Sequence, residues 1–301
     1  MSKQAVILAT HGTVEDLDDL AGFVTNIRRG HAPPPELVRE LRHRYEAIGG
    51  QSPLNEITRS VARKLEARLG VAVHMASRLW KPLVSDVIGD LGAARLVVVP
   101  MAQHSSPIYV EAVAKAAQAL SPSPEVVGVG NWGQTPALLD AFERRVRALA
   151  ATLSAAEREA SVLLLSAHSL PKAIVDAGDP YAREAQAAAE AIAHRVRDVF
   201  SHHEIAYQSQ GMSPGPGGRP MAWLGPDLPE TLDAIAAAGL RRVVFAPIGF
   251  LADHVEILYD LDIEAKRWAS DRGLSFARVA SLNDDDDFVE VLATLARPLL
   301  A

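Results

Sequence analysis

The chain has 301 residues, 49% of them apolar, and a formal net charge of −7 at pH 7. This length suits one large or two ordinary domains, and the acidic balance excludes the basic surface that binds nucleic acid. The sequence contains no Cys, which excludes disulfides, thiolate catalysis and iron–sulfur clusters and is compatible with the cytoplasm. No apolar run approaches the roughly 20 residues that span a bilayer, and the N-terminal run is too short for a signal peptide. We therefore expect a soluble, cytoplasmic protein.

Short apolar runs alternate with longer stretches of helical pattern. The apolar runs occupy residues 5–9, 71–75, 96–99, 126–129, 162–165 and 243–246. The helical stretches include residues 37–47, 56–68, 109–120 and 137–152. This alternation predicts parallel sheets with helices on both faces, and the continuous apolar runs indicate strands that are buried on both sides. A segment rich in Gly and Pro, SPGPGGRP at 213–220, is a predicted loop.

The two halves of the sequence share a pattern. The segments VILATHGT (6–13) and VLLLSAHSLP (162–171) place His11 and His168 after the first strand of each half, and Pro100 and Pro247 each follow a later strand. Any two doubly wound domains share such a rhythm, so the repeat by itself does not decide the fold. It predicts two α/β domains, residues 1–152 and 153–301, around a shared cleft, with the last helix free to pack back on the first domain.

An acidic stripe stands out in the helix predicted near the C-terminus. Glu256, Asp260 and Glu264 recur every four residues, so their carboxylates fall on one face and repel each other unless a cation, a base or water compensates. A structural alternative is a capping box between Asp253 and Glu256, which leaves Asp260 and Glu264 unexplained. An ionised Glu256 beside a neutral His168 offers oxygen and nitrogen ligands that suit a divalent first-row metal in transit.

Other polar residues point to a carboxylated ligand. A lone strand-end His usually bonds neighbouring backbone, but His11 and His168 occupy equivalent places, and an imidazole can take up and release a proton near neutral pH. Ser52 before Pro53 predicts a helix start with free N–H groups for an anion. Four arginines either are exposed charges on helices or bind carboxylates of a ligand: Arg28, Arg29, Arg42 and Arg44.

Taken together, these segments resemble the ferrochelatase family over nearly the whole chain. The matching segments are RYEAIGGQSPLNEIT (44–58), SAHSLP (166–171), GDPY (178–181), YQSQG (207–211), WLGPDL (223–228), PIGFLADHVEILYDLDIE (247–264) and LN (282–283). The stretch from NIRRG to YEAIGG (26–50) is similar to the bacterial branch that metallates coproporphyrin III.

The resemblance implies two similar Rossmann-like domains of the class II chelatase type, with a porphyrin cleft between them. It implies a lyase of haem biosynthesis that inserts Fe2+ into coproporphyrin III, with both as substrates, no tightly bound cofactor, and transient contact with neighbouring pathway enzymes. The catalytic pair falls on His168 and Glu256, and the metal path on these two residues with Asp260 and Glu264. The porphyrin contacts fall on His11, Arg28, Arg44, Tyr45, Ser52 and Tyr109.

One departure and three alternatives remain open at this point. His11 stands where the coproporphyrin branch has a Tyr that touches the metal of the product. The alternatives are a protoporphyrin IX ferrochelatase, a sirohydrochlorin chelatase for cobalt or iron, and a non-enzymatic haem or porphyrin carrier. The YEAIGG and WLGPD segments disfavour the sirohydrochlorin enzyme, and the intact pair of His168 and Glu256 disfavours the carrier.

Overall fold

The computed structural model describes residues 4–211 and 221–300, so the predicted loop at 213–220 lies outside the described residues. Its contacts divide the chain into two compact units. Unit 1 comprises Met1–Trp132, Leu251–His254 and Asn283–Ala301, and unit 2 comprises Gly133–Phe250 and Val255–Leu282. The domain boundary expected at residues 152 and 153 stays a prediction.

The described residues form strands and helices in alternation. The strands are β1 Gln4–Thr10, β2 Val73–Ser77, β3 Arg95–Pro100, β4 Glu125–Gly128, β5 Ser161–His168, β6 His202–Gln208, β7 Arg242–Ala246 and β8 Ser275–Arg278. The α-helices are α1 Leu20–Ile27, α2 Pro35–Ala47, α3 Leu54–Leu69, α4 Val84–Gly89, α5 Ser106–Ala117, α6 Pro136–Ala150, α7 Ala155–Glu159, α8 Lys172–Asp176, α9 Tyr181–Arg195, α10 Leu228–Ala237, α11 Val255–Leu258, α12 Lys266–Asp271 and α13 Asp286–Ala296. A π-helical segment spans Asp260–Ala265, and 3-10 turns span Leu17–Asp19 and Arg297–Leu299.

Unit 1 is built on a parallel sheet with the strand order β2-β1-β3-β4. In its register, Val6 of the central strand β1 faces Val73 on one side and Val97 on the other. The strands β1 and β3 are almost wholly buried, because helices cover both faces of a parallel sheet and leave no solvated face. The continuous apolar runs in the sequence reflect this burial.

The core of unit 1 extends through the last helix of the chain. In α3, Val61 and Leu65 are fully buried, and the helix ends at Gly70, whose left-handed backbone is easily adopted by glycine. Helix α13 packs on α3 and β3. Its buried Phe288 stacks on Trp132, with ring centroids 6.5 Å apart.

Unit 2 repeats this plan with the strand order β6-β5-β7-β8, all parallel. The first strand of each half is central in both sheets, flanked by the second and third strands, which confirms the duplicated α/β fold. The strands β6 and β8 have no counterpart among the predicted apolar runs. They lie at the two edges of the sheet and are partly exposed, so their sequences, HHEIAYQ and SFAR, carry polar residues.

The helices of the described ranges, 4–211 and 221–300, are all too short or too polar to cross a bilayer. In each unit the carboxyl ends of the parallel strands lie at one edge of the sheet, where open α/β sheets place their functional groups. His11 follows β1 in unit 1, and His168 is the last residue of β5 in unit 2.

Candidate active site

The site in unit 2 begins with His168, at the carboxyl end of the buried central strand β5. Its Nδ1 contacts the backbone carbonyl of Ser169. A carbonyl oxygen only accepts hydrogen bonds, so Nδ1 carries a proton and donates it. The hydroxyl of Tyr181 donates to the carbonyl of His168 itself at 2.9 Å. The first bond fixes the ring, the second holds the backbone of His168, and Nε2 is left as the nitrogen that is available for chemistry.

Glu256 lies opposite this nitrogen. Its Oε2 is 3.6 Å from His168 Nε2, and the two side chains are 36% and 32% exposed. The carboxylate therefore faces the imidazole at the surface of unit 2, within reach of a substrate. The ring of Phe250 packs against His168 at 6.2 Å between centroids and adds an apolar wall to one side of the pair.

Gln208, at the end of β6, joins the strands to the helix that carries Glu256. Its amide nitrogen donates to the backbone carbonyl of Glu256 at 3.1 Å, and its side-chain oxygen accepts from the buried hydroxyl of Ser166 at 2.7 Å. Its own backbone carbonyl accepts from Ser169 N at 2.7 Å. One side chain thus fixes the position of α11 relative to the end of β5, where His168 lies.

The pKa of His168 is raised above its usual value of about 6.5. Burial disfavours the charged ring and by itself would lower the pKa, but the carboxylate of Glu256, the carbonyl of Ser169 and the charge of Asp260 together outweigh burial. The ring is therefore a stronger proton acceptor than an isolated histidine.

The acidic stripe runs through a π-helical segment, where the sequence predicted a continuous α-helix. The amide of Glu264 donates to the carbonyl of Tyr259 at 3.0 Å, five residues back, and Ile263 shares that carbonyl at 3.2 Å. Single π turns inside α-helices are rare and occur frequently at functional sites. The segment lies directly after the four-residue helix α11 that presents Glu256.

The acidic residues behind Glu256 differ in their surroundings. Asp260 is buried, and its Oδ2 accepts a hydrogen bond from Ser209 Oγ at 2.5 Å. Ser209 follows β6 with a left-handed backbone, φ +60°, a conformation that costs energy for a residue other than glycine. Glu264 is half-buried. Within residues 4–211 and 221–300, no group of three or more His, Asp or Glu side chains forms a ready metal cluster.

Asp253, the proposed partner of Glu256 in a capping box, pairs with another residue. Its carboxylate accepts from the Asn283 side-chain amide at 3.0 Å, and its backbone N–H donates to the Asn283 side-chain oxygen at 2.8 Å. This reciprocal pair joins two segments of unit 1, and Asn283 has a left-handed backbone, φ +51°. The LN motif of the sequence therefore anchors the loop before α11.

The six residues predicted to contact porphyrin all lie in unit 1. The hydroxyl of Tyr45 is buried and lies 2.7 Å from that of Thr13, in the loop that His11 begins. His11 is exposed, with its ring edge-on to Phe23 at 6.2 Å. The structure thus brings Tyr45 to the same loop as His11 at the end of β1.

The other four predicted contacts have separate partners in unit 1. Arg44 Nε donates to Glu40 at 3.0 Å, and Arg28 caps the end of α1 through its backbone N–H. The guanidinium of Arg78 lies over the buried ring of Tyr109 at 5.6 Å. Ser52 is buried and accepts from Leu54 N at 3.4 Å. Helix α3 begins at Leu54 rather than at Pro53, which holds the cap position instead.

The sequence profile of the ferrochelatase family matches residues 3–299 of the chain. The chain belongs to the ferrochelatase family. The match covers residues of both units and includes His168 and Glu256.

Relatives of this ferrochelatase-family chain are similar over nearly their full length. A protein named ferrochelatase from Herpetosiphon aurantiacus is 35% identical, covering 98% of this chain and 98% of the relative. A coproporphyrin III ferrochelatase from Bacillus pumilus is 34% identical, covering 97% of this chain and 96% of the relative. Another protein of that name, from Bacillus subtilis, is 33% identical, covering 97% and 96%.

Solved structures support the fold. SirB from Bacillus subtilis, solved with Fe3+, gives a TM-score of 0.59 at 13% identity, covering 99% of this chain and 96% of that one. CbiX, described as the terminal enzyme for biosynthesis of siroheme in denitrifying bacteria, gives 0.57 at 11% identity, covering 99% and 100%. The ferrochelatase-family chain therefore has the two-domain chelatase fold that the sequence predicted.

The sequence alone predicts no role for two residues that contact the acidic residues beside His168. Gln208 and Ser209 lie within the YQSQG segment, so the motif marked the place but not what the side chains do. Their roles depend on contacts with Glu256 and Asp260, about 50 residues away along the chain. Separations of this kind leave no periodic signal in the sequence.

Proposed function

We propose that this chain inserts Fe2+ into coproporphyrin III to give Fe-coproporphyrin in haem biosynthesis. The observation that carries the proposal is the fixed pair of His168 and Glu256, 3.6 Å apart, with Nδ1 of the ring committed to Ser169. The proposal for the porphyrin itself draws on relatives named coproporphyrin III ferrochelatase, which are 33% and 34% identical over nearly the whole chain.

The reaction needs a proton acceptor. When Fe2+ enters the macrocycle it replaces the pyrrole N–H protons, and no electron is transferred. His168 Nε2 takes the two protons one after the other, each being passed on before the next is accepted, and its raised pKa makes it suited to accept them. Glu256 stabilises the imidazolium that forms and passes the proton outward. The fixed tautomer of His168 means that the ring needs no rotation before it accepts the proton.

The iron needs a route to the macrocycle. Carboxylate oxygens and imidazole nitrogens are ligands for divalent first-row metals, and an open set of ligands releases its ion more readily than a closed tetrahedral site. Glu264, Asp260 and Glu256 follow one another along the π-helical segment and α11. We assign them the delivery of Fe2+ toward His168.

The porphyrin carboxylates need cationic and hydrogen-bonding partners. Coproporphyrin III carries four propionates, and an arginine guanidinium binds a carboxylate through two parallel hydrogen bonds. We assign this role to Arg28 and Arg44, with Tyr45 and Ser52 as hydroxyl donors, and contacts with the macrocycle to His11 and Tyr109. Binding energy from the propionates is then available to distort the ring toward a metallated geometry.

The test is an anaerobic Fe2+ insertion assay with coproporphyrin III, protoporphyrin IX and sirohydrochlorin side by side. We expect coproporphyrin III to give the highest kcat/KM. His168→Ala and Glu256→Gln are each expected to lower kcat at least about 100-fold, the low end for loss of a general acid or base. Porphyrin binding, measured by fluorescence quenching, should persist in both variants.

Three outcomes would contradict the proposal. Near-wild-type insertion by both variants would remove His168 and Glu256 from the mechanism. A preference for protoporphyrin IX or sirohydrochlorin would reassign the substrate. Tight haem binding with no turnover of any porphyrin would identify a carrier.

We also propose that the enzyme acts in the cytoplasm and makes only transient contact with neighbouring enzymes of haem synthesis. The Cys-free composition is compatible with a reducing compartment. Cell fractionation tests the location, and chemical crosslinking in cells tests the contact.

A further inference from the structure

The π-helical segment of unit 2 is held from both edges of the sheet. In the order β6-β5-β7-β8, the strands β6 and β8 are the two outer strands. Ser209, directly after β6, donates to Asp260 at 2.5 Å. Arg278, the last residue of β8, bonds Asp262. The segment is therefore attached at both sides of the carboxyl end of the sheet.

The contact between Arg278 and Asp262 is a bidentate ion pair. Arg278 Nε donates to one carboxylate oxygen at 2.7 Å, and Nη2 donates to the other at 2.9 Å. The arginine and aspartate side chains are 15% and 34% exposed, so solvent screens the pair less than it screens a surface salt bridge. Two parallel bonds fix direction as well as distance. Arg278 therefore sets the orientation of Asp262.

Asp262 lies between two residues of the proposed iron route. It is two positions from Asp260 and two from Glu264, and helical residues two positions apart do not face each other. The ion pair between Arg278 and Asp262 therefore holds the segment on the face opposite to Asp260 and Glu264. It thereby fixes the rotation of the segment about its own axis. Because π turns are rare and occur mostly as single turns inside α-helices, a contact that holds this one from outside has a clear physical purpose.

We propose that Arg278 is a positioning residue for iron capture. By holding Asp262, it keeps the π-helical segment in the rotation that directs Asp260 and Glu264 along the path to Glu256. The inference rests on the proposed function and adds a residue to it. His168 and Glu256 are held separately, through Gln208 and Ser169, so loss of Arg278 should weaken iron capture more than the insertion step.

The experiment measures the Fe2+ dependence of insertion into coproporphyrin III by wild type and by Arg278→Ala. We expect the KM for Fe2+ to rise about 10-fold, as on removal of the residues that orient metal ligands. We expect kcat at saturating iron to change less than about threefold, and the KM for porphyrin to stay constant. Circular dichroism and thermal unfolding verify the fold of the variant.

A matched control lies on the same sheet. Arg242, at the amino end of β7, pairs with Glu157 at 2.8 Å and is 21% exposed. Arg242→Ala removes a comparable ion pair far along the strand from the site, and we expect an unchanged KM for Fe2+. Arg278→Lys keeps the charge but not the bidentate geometry, so its KM should lie between those of wild type and Arg278→Ala.

A double variant separates positioning from charge. Arg278→Ala leaves Asp262 as an extra negative charge, which Asp262→Asn removes. Positioning predicts that the double variant keeps the raised KM. Return of the double variant to the wild-type KM, or a wild-type KM in Arg278→Ala itself, would overturn the inference while leaving iron insertion established. No insertion by the wild-type chain would instead contradict the proposed function.

Discussion

The chemistry of His168 is decided by which of its nitrogens is already engaged. Nδ1 is bonded to the carbonyl of Ser169, so only Nε2 can exchange a proton, and the carboxylate of Glu256 lies 3.6 Å from it. The charge of Glu256 therefore acts on the nitrogen that accepts the proton in the proposed mechanism. A measurement of the pKa of His168 therefore tests whether His168 and Glu256 interact.

We predict that Glu256→Gln lowers the pKa of His168. Burial pulls the pKa down, and the Glu256 carboxylate is the largest influence that raises it. Without that charge, burial has more weight and the ring loses its proton at a lower pH. An NMR titration of the imidazole Cε1–H resonance, assigned by its loss in His168→Ala, measures the shift.

The lower pKa of His168 in Glu256→Gln should also change the pH dependence of activity. Because neutral Nε2 is the form that accepts a proton, insertion by wild type should rise with pH through the raised pKa of His168 and then level off. The residual activity of Glu256→Gln should reach its plateau at a lower pH. Identical titration midpoints in the two proteins would contradict a coupled pair.

At the scale of elements, the loop from β7 to α11 is pressed against the end of β5. Gly249 donates its amide to the carbonyl of Ser166 at 2.9 Å. A Cβ atom at Gly249 would lie 2.6 Å from Ala167 Cα and 2.7 Å from Ala167 Cβ. These neighbours belong to the strand that ends in His168 and cannot move independently of it. Glycine at this position is therefore required by the close approach of two backbones.

We predict that Gly249→Ala destabilises the protein by about 1–3 kcal/mol, the usual cost of overpacking. The displaced strand end should also misplace His168 and lower kcat for iron insertion. Denaturant unfolding and the insertion assay measure the two effects. Gly130→Ala is the matched control, because a Cβ there meets no atom within 4 Å. Equal stability of the two variants would show that the loop adapts.

The elements also show how far the sequence could predict this fold. The six apolar runs correspond to β1, β2, β3, β4, β5 and β7, and the four helical stretches correspond to α2, α3, α5 and α6. Burial on two faces produces such runs in the inner strands β1, β3, β5 and β7. The edge strands β2 and β4 are visible because their own residues are mostly apolar. The edge strands β6 and β8 are not, because partial exposure admits polar residues and erases the pattern.

At the scale of the whole chain, the site residues that could be predicted are those that follow a local sequence pattern. His168 ends an apolar run, and Glu256, Asp260 and Glu264 are spaced by four, so the residues alone indicated a site. The π-helical geometry was not predictable, since it accompanies contacts from Ser209 and Arg278 that join distant segments. Nothing in the sequence around Arg278 distinguishes it from an exposed arginine of an edge strand.

The division into units gives the last prediction. Unit 1 takes in Asn283–Ala301 from the end of the chain, and its helix α13 buries Phe288 completely against Trp132. We predict that Phe288→Ala lowers the free energy of unfolding by about 3–5 kcal/mol, the cost of removing a buried aromatic ring from a core. Urea unfolding followed by Trp fluorescence measures this loss.

The control for Phe288→Ala lies on the same helix. Thr294 is exposed on α13, so Thr294→Ala should change stability by less than about 1 kcal/mol. A small loss in Phe288→Ala, comparable to that of the control, would contradict the prediction and show that the core around Trp132 adapts to the missing ring. A large loss would show that helix α13, although distant in sequence from the strands of unit 1, completes the core of that unit.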